Sequence, residues 1–158
     1  MPTTKKKKKN IGVYQNPRGS SIWCPTPTAT ARLGGRLART RQNYVWLLTG
    51  PVGAGKTTLI RGALRALGVR SRITSPTFGL KKEYRVRDGR WRRIVHIDAY
   101  RINHPREVAA LEINETKRDP RCLLLIEWPG RMVGQRWPRA LQIKITTAGL
   151  GRRVIISG

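Results

Sequence analysis

Acidic residues are scarce in this chain: 8 aspartates and glutamates stand against 33 lysines and arginines in 158 residues, a formal charge of +25. Such a field attracts polyanions and disfavours self-association, but it does not dictate a fold. A nucleotide alone would not require it, so tRNA, rRNA, an acidic protein or an anionic membrane surface enters as a partner class, beside the plainer reading of a solvated basic surface. Cysteine is nearly missing as well. Cys24 and Cys122 lie far apart with no Cys-x-x-Cys spacing, and there are 2 histidines, a composition that argues against a structural zinc site and fits a reducing compartment. Cys122 opens an apolar run and reads as a buried thiol. No apolar run reaches the roughly 18 residues of a membrane-spanning helix. No apolar region follows the charged start Met1 to Lys9, so a secretory signal is not supported and the expected location is the cytoplasm.

The length suits one domain with a core that needs neither disulfides nor metal. Within it, Gly50-Pro51-Val52-Gly53-Ala54-Gly55-Lys56-Thr57-Thr58 follows an apolar run, Tyr44 to Leu48, and precedes a helix-like run, Thr57 to Leu67. This is G-x-x-x-x-G-K-T between strand and helix. Gly50, Gly53 and Gly55 permit the tight backbone path that points consecutive N–H groups, including that of Ala54, at anionic oxygens, and the start of the helix adds free amides and a favourable dipole. Lys56 would reach the β- and γ-phosphates, Thr57 would ligate Mg²⁺, and Thr58 completes the cradle.

Other segments set the surroundings. Five lysines, Lys5 to Lys9, predict disorder, and residues 1–29 are expected to form a basic extension to an ATPase domain at 30–158. Thr30 is a candidate cap for a helix through about Arg39, with Leu33 and Leu37 inward. In the helix after the glycine loop, Leu59, Ile60, Ala63, Leu64 and Leu67 form an apolar face that Gly68 ends. Pro76 makes Ser75 extended, so Ser75 and Thr77 offer hydroxyls either to a γ-phosphate and its attacking water or to their own turn. Leu80 to Val86 and Trp91 to Ile97 read as strands joined at Asp88-Gly89, with Arg90, Arg92 and Arg93 making the hairpin basic. Asp98 ends the second strand, where it would reach a metal or activate water; capping a following helix is its alternative. His96 shares its face and either supports the site or packs. A short helix is expected at Pro105 to Leu111 and polar connection from Glu112 to Pro120. Leu123-Leu124-Leu125-Ile126-Glu127 has the form of a strand ending in a carboxylate beside the phosphates, where Glu127 would bind Mg²⁺ or polarise water. Trp128-Pro129 would wall the pocket or cover the core. Leu141 to Thr146 and Arg153 to Ile156 read as a closing hairpin around Gly149-Leu150-Gly151. Together these imply an α/β, three-layer P-loop fold with a central, mostly parallel sheet and peripheral hairpins.

The glycine loop, Ser75-Pro76-Thr77-Phe78 with Tyr84, His96-Ile97-Asp98-Ala99-Tyr100-Arg101 and Ile126-Glu127-Trp128-Pro129 occur in an order and spacing that resembles the TsaE (YjeE) family. The resemblance implies an ATPase that binds ATP and Mg²⁺ and serves the protein pair that transfers threonylcarbamoyl to A37 of tRNAs reading codons that begin with A. The transfer chemistry would lie in those partners. Carried onto this chain, it gives Lys56 to the phosphates, Thr57 and Glu127 to Mg²⁺, Asp98 to hydrolysis, and Ser75 and Thr77 to a switch-like segment. Pro51-Val52 departs from the family's usual Asp/Glu-Leu, and the charge and lysine tract are foreign to its common pattern. A small P-loop kinase and a basic RNA-binding or assembly protein with little ATPase activity are the competing readings.

Overall fold

In the computed structural model the described residues are 13–16, 19–76, 79–87 and 89–158. The Lys5 to Lys9 tract, Thr77, Phe78 and Asp88 lie outside them. The chain runs β1 (Val13–Asn16), β2 (Gly19–Cys24), α1 (Pro27–Thr40), β3 (Val45–Thr49), α2 (Lys56–Ala66), β4 (Lys81–Arg85), β5 (Arg93–Asp98), α3 (Pro105–Ala110), α4 (Ile113–Arg118), β6 (Cys122–Glu127), β7 (Leu141–Ala148) and β8 (Gly151–Ser157). A single 3-10 turn, Pro129–Arg131, follows β6.

The strands form one sheet in the order β1-β2-β8-β7-β3-β6-β5-β4. Its four central strands, β7, β3, β6 and β5, are mutually parallel, and antiparallel strands flank them on both sides. Parallel strands covered on both faces need near-continuous apolar runs, and β6 supplies one that is buried along its whole length. Alternate residues face opposite layers. Trp46, Leu48, Ile94, Leu123 and Leu125 pack on the side of α1 and α2, while Leu47, Val95, Ile97, Leu124 and Ile126 pack with Val108 of α3 and Ile113 of α4.

Helices α1 and α2 approach backbone to backbone. A Cβ on Gly34 would run into the Leu59 carbonyl, and one on Gly62 into the Ala31 carbonyl. Glycine is weak in helix interiors, yet here it is what permits the two helices to lie against each other and seat α2 under the loop. Leu59, Ile60, Ala63 and Leu64 are fully buried beneath them, each large side chain contributing about 1.5–3 kcal/mol. Gly68, at φ +88, ends α2 as expected, with the Val69 amide closing back on the Leu64 carbonyl.

Three expectations need correction. Helix α1 is capped by Thr26, whose hydroxyl accepts from the Ala29 amide, with Pro27 at its first position. Thr30 is instead a buried residue inside it, so a domain boundary at residue 30 falls within the helix. β2 extends the sheet N-terminal to that boundary, pairing with β8 through Ser20 to Cys24. The stretch expected as polar connection holds α4, anchored by buried Ile113 and Thr116 one turn apart. The expected β4–β5 hairpin is present, paired from Lys81 with Ile97 to Arg85 with Arg93, and the Val86 amide bonds the Arg92 carbonyl.

Candidate nucleotide-binding site

β3, β6 and β5 end side by side. Leu48 pairs with Glu127, and Glu127 with Asp98, so the glycine loop and both carboxylates emerge from the carboxyl edges of adjacent parallel strands. That is where ligands collect in such sheets. The Trp128 amide bonds the Leu48 carbonyl and the Ala99 amide bonds the Glu127 carbonyl, lacing the three exits together. A cleft of about 350 Å³ opens there, with the loop residues Val52, Gly53, Gly55, Lys56, Thr57 and Thr58 on one side. Ser75, Asp98, Tyr100, Glu127 and Trp128 close the other.

The loop's path is dictated by backbone space. Gly50 sits at φ +144 with the Ile145 carbonyl of β7 where a Cβ would stand, and Gly55 caps α2 in the left-handed region at φ +106. No side chain caps α2 and no acidic residue occupies its first turn. Its leading amides and positive dipole end therefore face the cleft, the arrangement that binds phosphate. Gly50 and Ala54 shape the loop from behind: neither lines the cleft, and Ala54 is fully buried.

Lys56 is buried, its ammonium donating to the carbonyls of Gly50 at 2.8 Å and Pro51 at 2.9 Å. It also lies 4.3 Å from the centre of the Trp128 ring. Burial holds this ammonium below its ordinary pKa of 10.5, opposed by the charges of Glu127 and Asp98. Trp128 reaches it from a left-handed backbone at φ +58, and Tyr100 lies against the indole with ring centres 5.0 Å apart.

The carboxylates differ in surroundings. Thr57 Oγ1 lies 2.9 Å from Glu127 Oε1 and 3.1 Å from Oε2. His96 Nε2 is 2.9 Å from the same Oε1, and both residues are buried. His96 Nδ1 has no partner among the described residues, so the proton belongs on Nε2, where the imidazole donates to Glu127 and fixes its orientation. Support of the site, rather than packing, is thus what His96 provides. Asp98 accepts from Ser75 Oγ at 3.0 Å through Oδ2 and from the Tyr100 amide at 3.1 Å through Oδ1. It caps no helix: α3 begins only at Pro105, where the Glu107 carboxylate accepts from the amides of Asn103 and His104.

A hydroxyl and a carboxylate in contact beside a buried lysine form the oxygen donor set that a small hard cation bridging phosphates requires. The residues present therefore fit a magnesium nucleotide. Sequence reading brought together Gly53, Gly55, Lys56, Thr57, Thr58, Ser75, Asp98 and Glu127, and all of them line the cleft. It gave no role to Arg152, whose guanidinium lies 3.3 Å from the Gly53 carbonyl from across β8. No local pattern marks that residue. Arg152 also borders a smaller cavity of about 110 Å³ behind the loop, with Cys24, Thr26, Thr30 and Thr58.

The family profile described as threonylcarbamoyl adenosine biosynthesis protein TsaE matches residues 24–155. A Streptomyces coelicolor protein named tRNA threonylcarbamoyladenosine biosynthesis protein TsaE is 35% identical over 134 residues, covering 80% of this chain and 88% of its own. A Synechocystis protein of the same name is 35% identical over 121 residues, 74% of each chain. The crystal structure of YdiB from Bacillus subtilis superposes with a TM-score of 0.67 at 25% identity, covering 94% of this chain and 88% of that one. The glycine loop, the two strand-end carboxylates and the breadth of these matches lead to one assignment: the chain belongs to the TsaE family.

Proposed function

We propose that this chain binds ATP with Mg²⁺ in the cleft and hydrolyses it slowly, supporting turnover of the protein pair that places threonylcarbamoyl on A37 of tRNA. The reading rests most on one observation, the Thr57 hydroxyl held against a His96-oriented Glu127 beside buried Lys56. Lys56 and the leading amides of α2 would hold the phosphates, and Thr57 and Glu127 the metal. When bound, Mg²⁺ neutralises phosphate charge. Asp98, steadied by Ser75 and the Tyr100 amide, is the carboxylate that orients water for hydrolysis. Ser75, together with Thr77 beyond the described residues, would form the segment that senses the terminal phosphate.

Slow intrinsic turnover follows from the lining: among the described residues no arginine borders the cleft, and an arginine finger contributes about 10³–10⁵ in rate where one is present. Partner stimulation is then the expected mode of control. Among the described residues no helix is long and apolar enough to cross a membrane, and we place the protein in the cytoplasm with its tRNA-modifying partners. The charge of +25 supports direct contact with tRNA or another polyanion.

The test is ATP hydrolysis by the purified chain, alone and with the transferase pair, using Lys56→Ala as the blank. Slow basal turnover that the pair accelerates is the expected result. Nucleotide binding without any stimulation would leave the ATPase and remove the pathway.

A further inference from the structure

The eight acidic residues are unevenly placed. Glu83 is the first carboxylate side chain in the sequence and Glu127 the last, so α1, β3 and α2 contain none. Glu107, Glu112, Glu115 and Asp119 all belong to the layer of α3 and α4 or its edges. On the outer surface of the opposite layer, α1 and α2, every exposed charged residue is an arginine. Arg32, Arg36 and Arg39 are exposed on α1, interleaved with buried Leu33, Gly34, Leu37 and Ala38, and Arg61 is exposed on α2. At positions i, i+4 and i+7 the three α1 arginines share one stripe, about 10 Å long at 1.5 Å per residue. They wall a groove of about 420 Å³ between the two helices, floored by Gly35 and Gly62. None of the ion pairs among the described residues involves them.

The β4–β5 hairpin, which the sequence singles out as basic, is less suited. Its Arg93 is paired with Glu83 and Asp119, so part of that charge is spent within the fold.

We propose that the arginine-walled groove between α1 and α2 is an RNA-binding surface that grips the phosphodiester backbone without reading sequence. Arginine rather than lysine carries the charge here, and its planar, weakly hydrated fork matches phosphate oxygens. The surface is dry of apolar anchors: the exposed large hydrophobics among the described residues, Trp23, Tyr44, Val52, Tyr100, Val133 and Leu150, all lie outside α1 and α2. An amphipathic membrane-binding face needs apolar side chains to insert, and a protein interface needs a buried aromatic or aliphatic centre. A polyphosphate backbone needs neither. The surface is separate from the nucleotide cleft, so its failure would leave the ATP reading intact.

The experiment measures binding of a labelled stem-loop RNA to the full chain by fluorescence anisotropy across a salt series. Two triple variants with the same charge change are compared: Arg32→Gln with Arg36→Gln and Arg39→Gln, and a control on the other layer, Arg106→Gln with Arg118→Gln and Arg136→Gln. The lysine tract is common to all three proteins and cancels. Each phosphate contact contributes about 0.7–0.9 to the slope of log affinity against log salt. The α1 variant should therefore lose about 2 to 3 from that slope while keeping its melting temperature and ATP turnover, and the control should lose less than about 1. Equal losses in the two variants would reduce the effect to net charge and overturn the proposal. So would an α1 variant that keeps RNA binding but loses binding to phosphatidylserine vesicles or to polyglutamate.

Discussion

Replacing His96 probes the site without touching any residue that meets the nucleotide. In His96→Leu the Glu127 carboxylate, 3% exposed, loses the donor 2.9 Å from its Oε1 and keeps the Thr57 hydroxyl. A hydrogen bond to a charged group contributes about 1.5–3 kcal/mol. For a chain of 158 residues, 1 kcal/mol moves the melting temperature by about 2–4 °C, so His96→Leu should melt roughly 3–12 °C lower. Because the imidazole also orients the proposed metal ligand, affinity for Mg²⁺ with ATP should fall about 10–100-fold, the usual effect of removing such a partner. His96→Gln places an amide donor close to the position of Nε2 and should recover most of both losses. Differential scanning calorimetry and titration of Mg²⁺ against a fixed ATP complex supply the readings. If His96→Leu melts like the parent and binds Mg²⁺ equally well, the imidazole does not hold the carboxylate and the reasoning fails.

Three further outcomes follow from the geometry. Asp98→Asn should bind ATP with an affinity close to the parent's and lose about 10²–10⁴ in turnover, the usual range for a positioned acid or base; unchanged single-turnover hydrolysis would remove its role. Gly62→Ala sets a methyl against the Ala31 carbonyl, so α1 and α2 must separate at a cost of about 1–3 kcal/mol or more, visible in urea unfolding as a lower midpoint. Burial pushes the Cys122 thiol up to about 11, with Arg93 opposing, and raises Cys24 as well. Both thiols should therefore resist iodoacetamide at pH 8 in the native protein and react after unfolding, whereas prompt native labelling at either one would show that its site opens.

The layout of the candidate site was legible because it is written in local backbone demands. Gly50 is needed where φ is positive and a carbonyl stands at the Cβ position, Gly55 where φ is positive, and Lys56 and Thr57 follow directly, while Asp98 and Glu127 each end an apolar run. The elements that escaped notice are those whose cues point elsewhere. Pro25 and Pro27 suggest an extended chain, but proline is also welcome at the first position of a helix, and there Thr26 caps α1. α1 runs fourteen residues, through Gly34 and Gly35 in its interior, and Gly34 lies where α2 touches. α4 presents only Ile113 and Thr116 to the core, too few for a periodic signal. β2 alternates buried Ile22 and Cys24 about an exposed Trp23, which inverts the usual expectation that the indole faces inward. The contact of His96 with Glu127 crosses between strands and that of Arg152 reaches from β8 to the loop at Gly53; such pairings depend on register, which the sheet reveals.

Lys56 and Thr57 are the residues through which the cleft would bind a magnesium nucleotide. The direct measurement is calorimetric titration of ATP into the parent and into Lys56→Ala and Thr57→Ala, each with Mg²⁺ and with a chelator. The parent should bind more tightly with Mg²⁺, Lys56→Ala should bind weakly under both conditions, and Thr57→Ala should bind alike with and without the metal. Parent-like affinity in Lys56→Ala, or an undiminished Mg²⁺ effect in Thr57→Ala, would contradict the assignment of the phosphates and the metal to these residues.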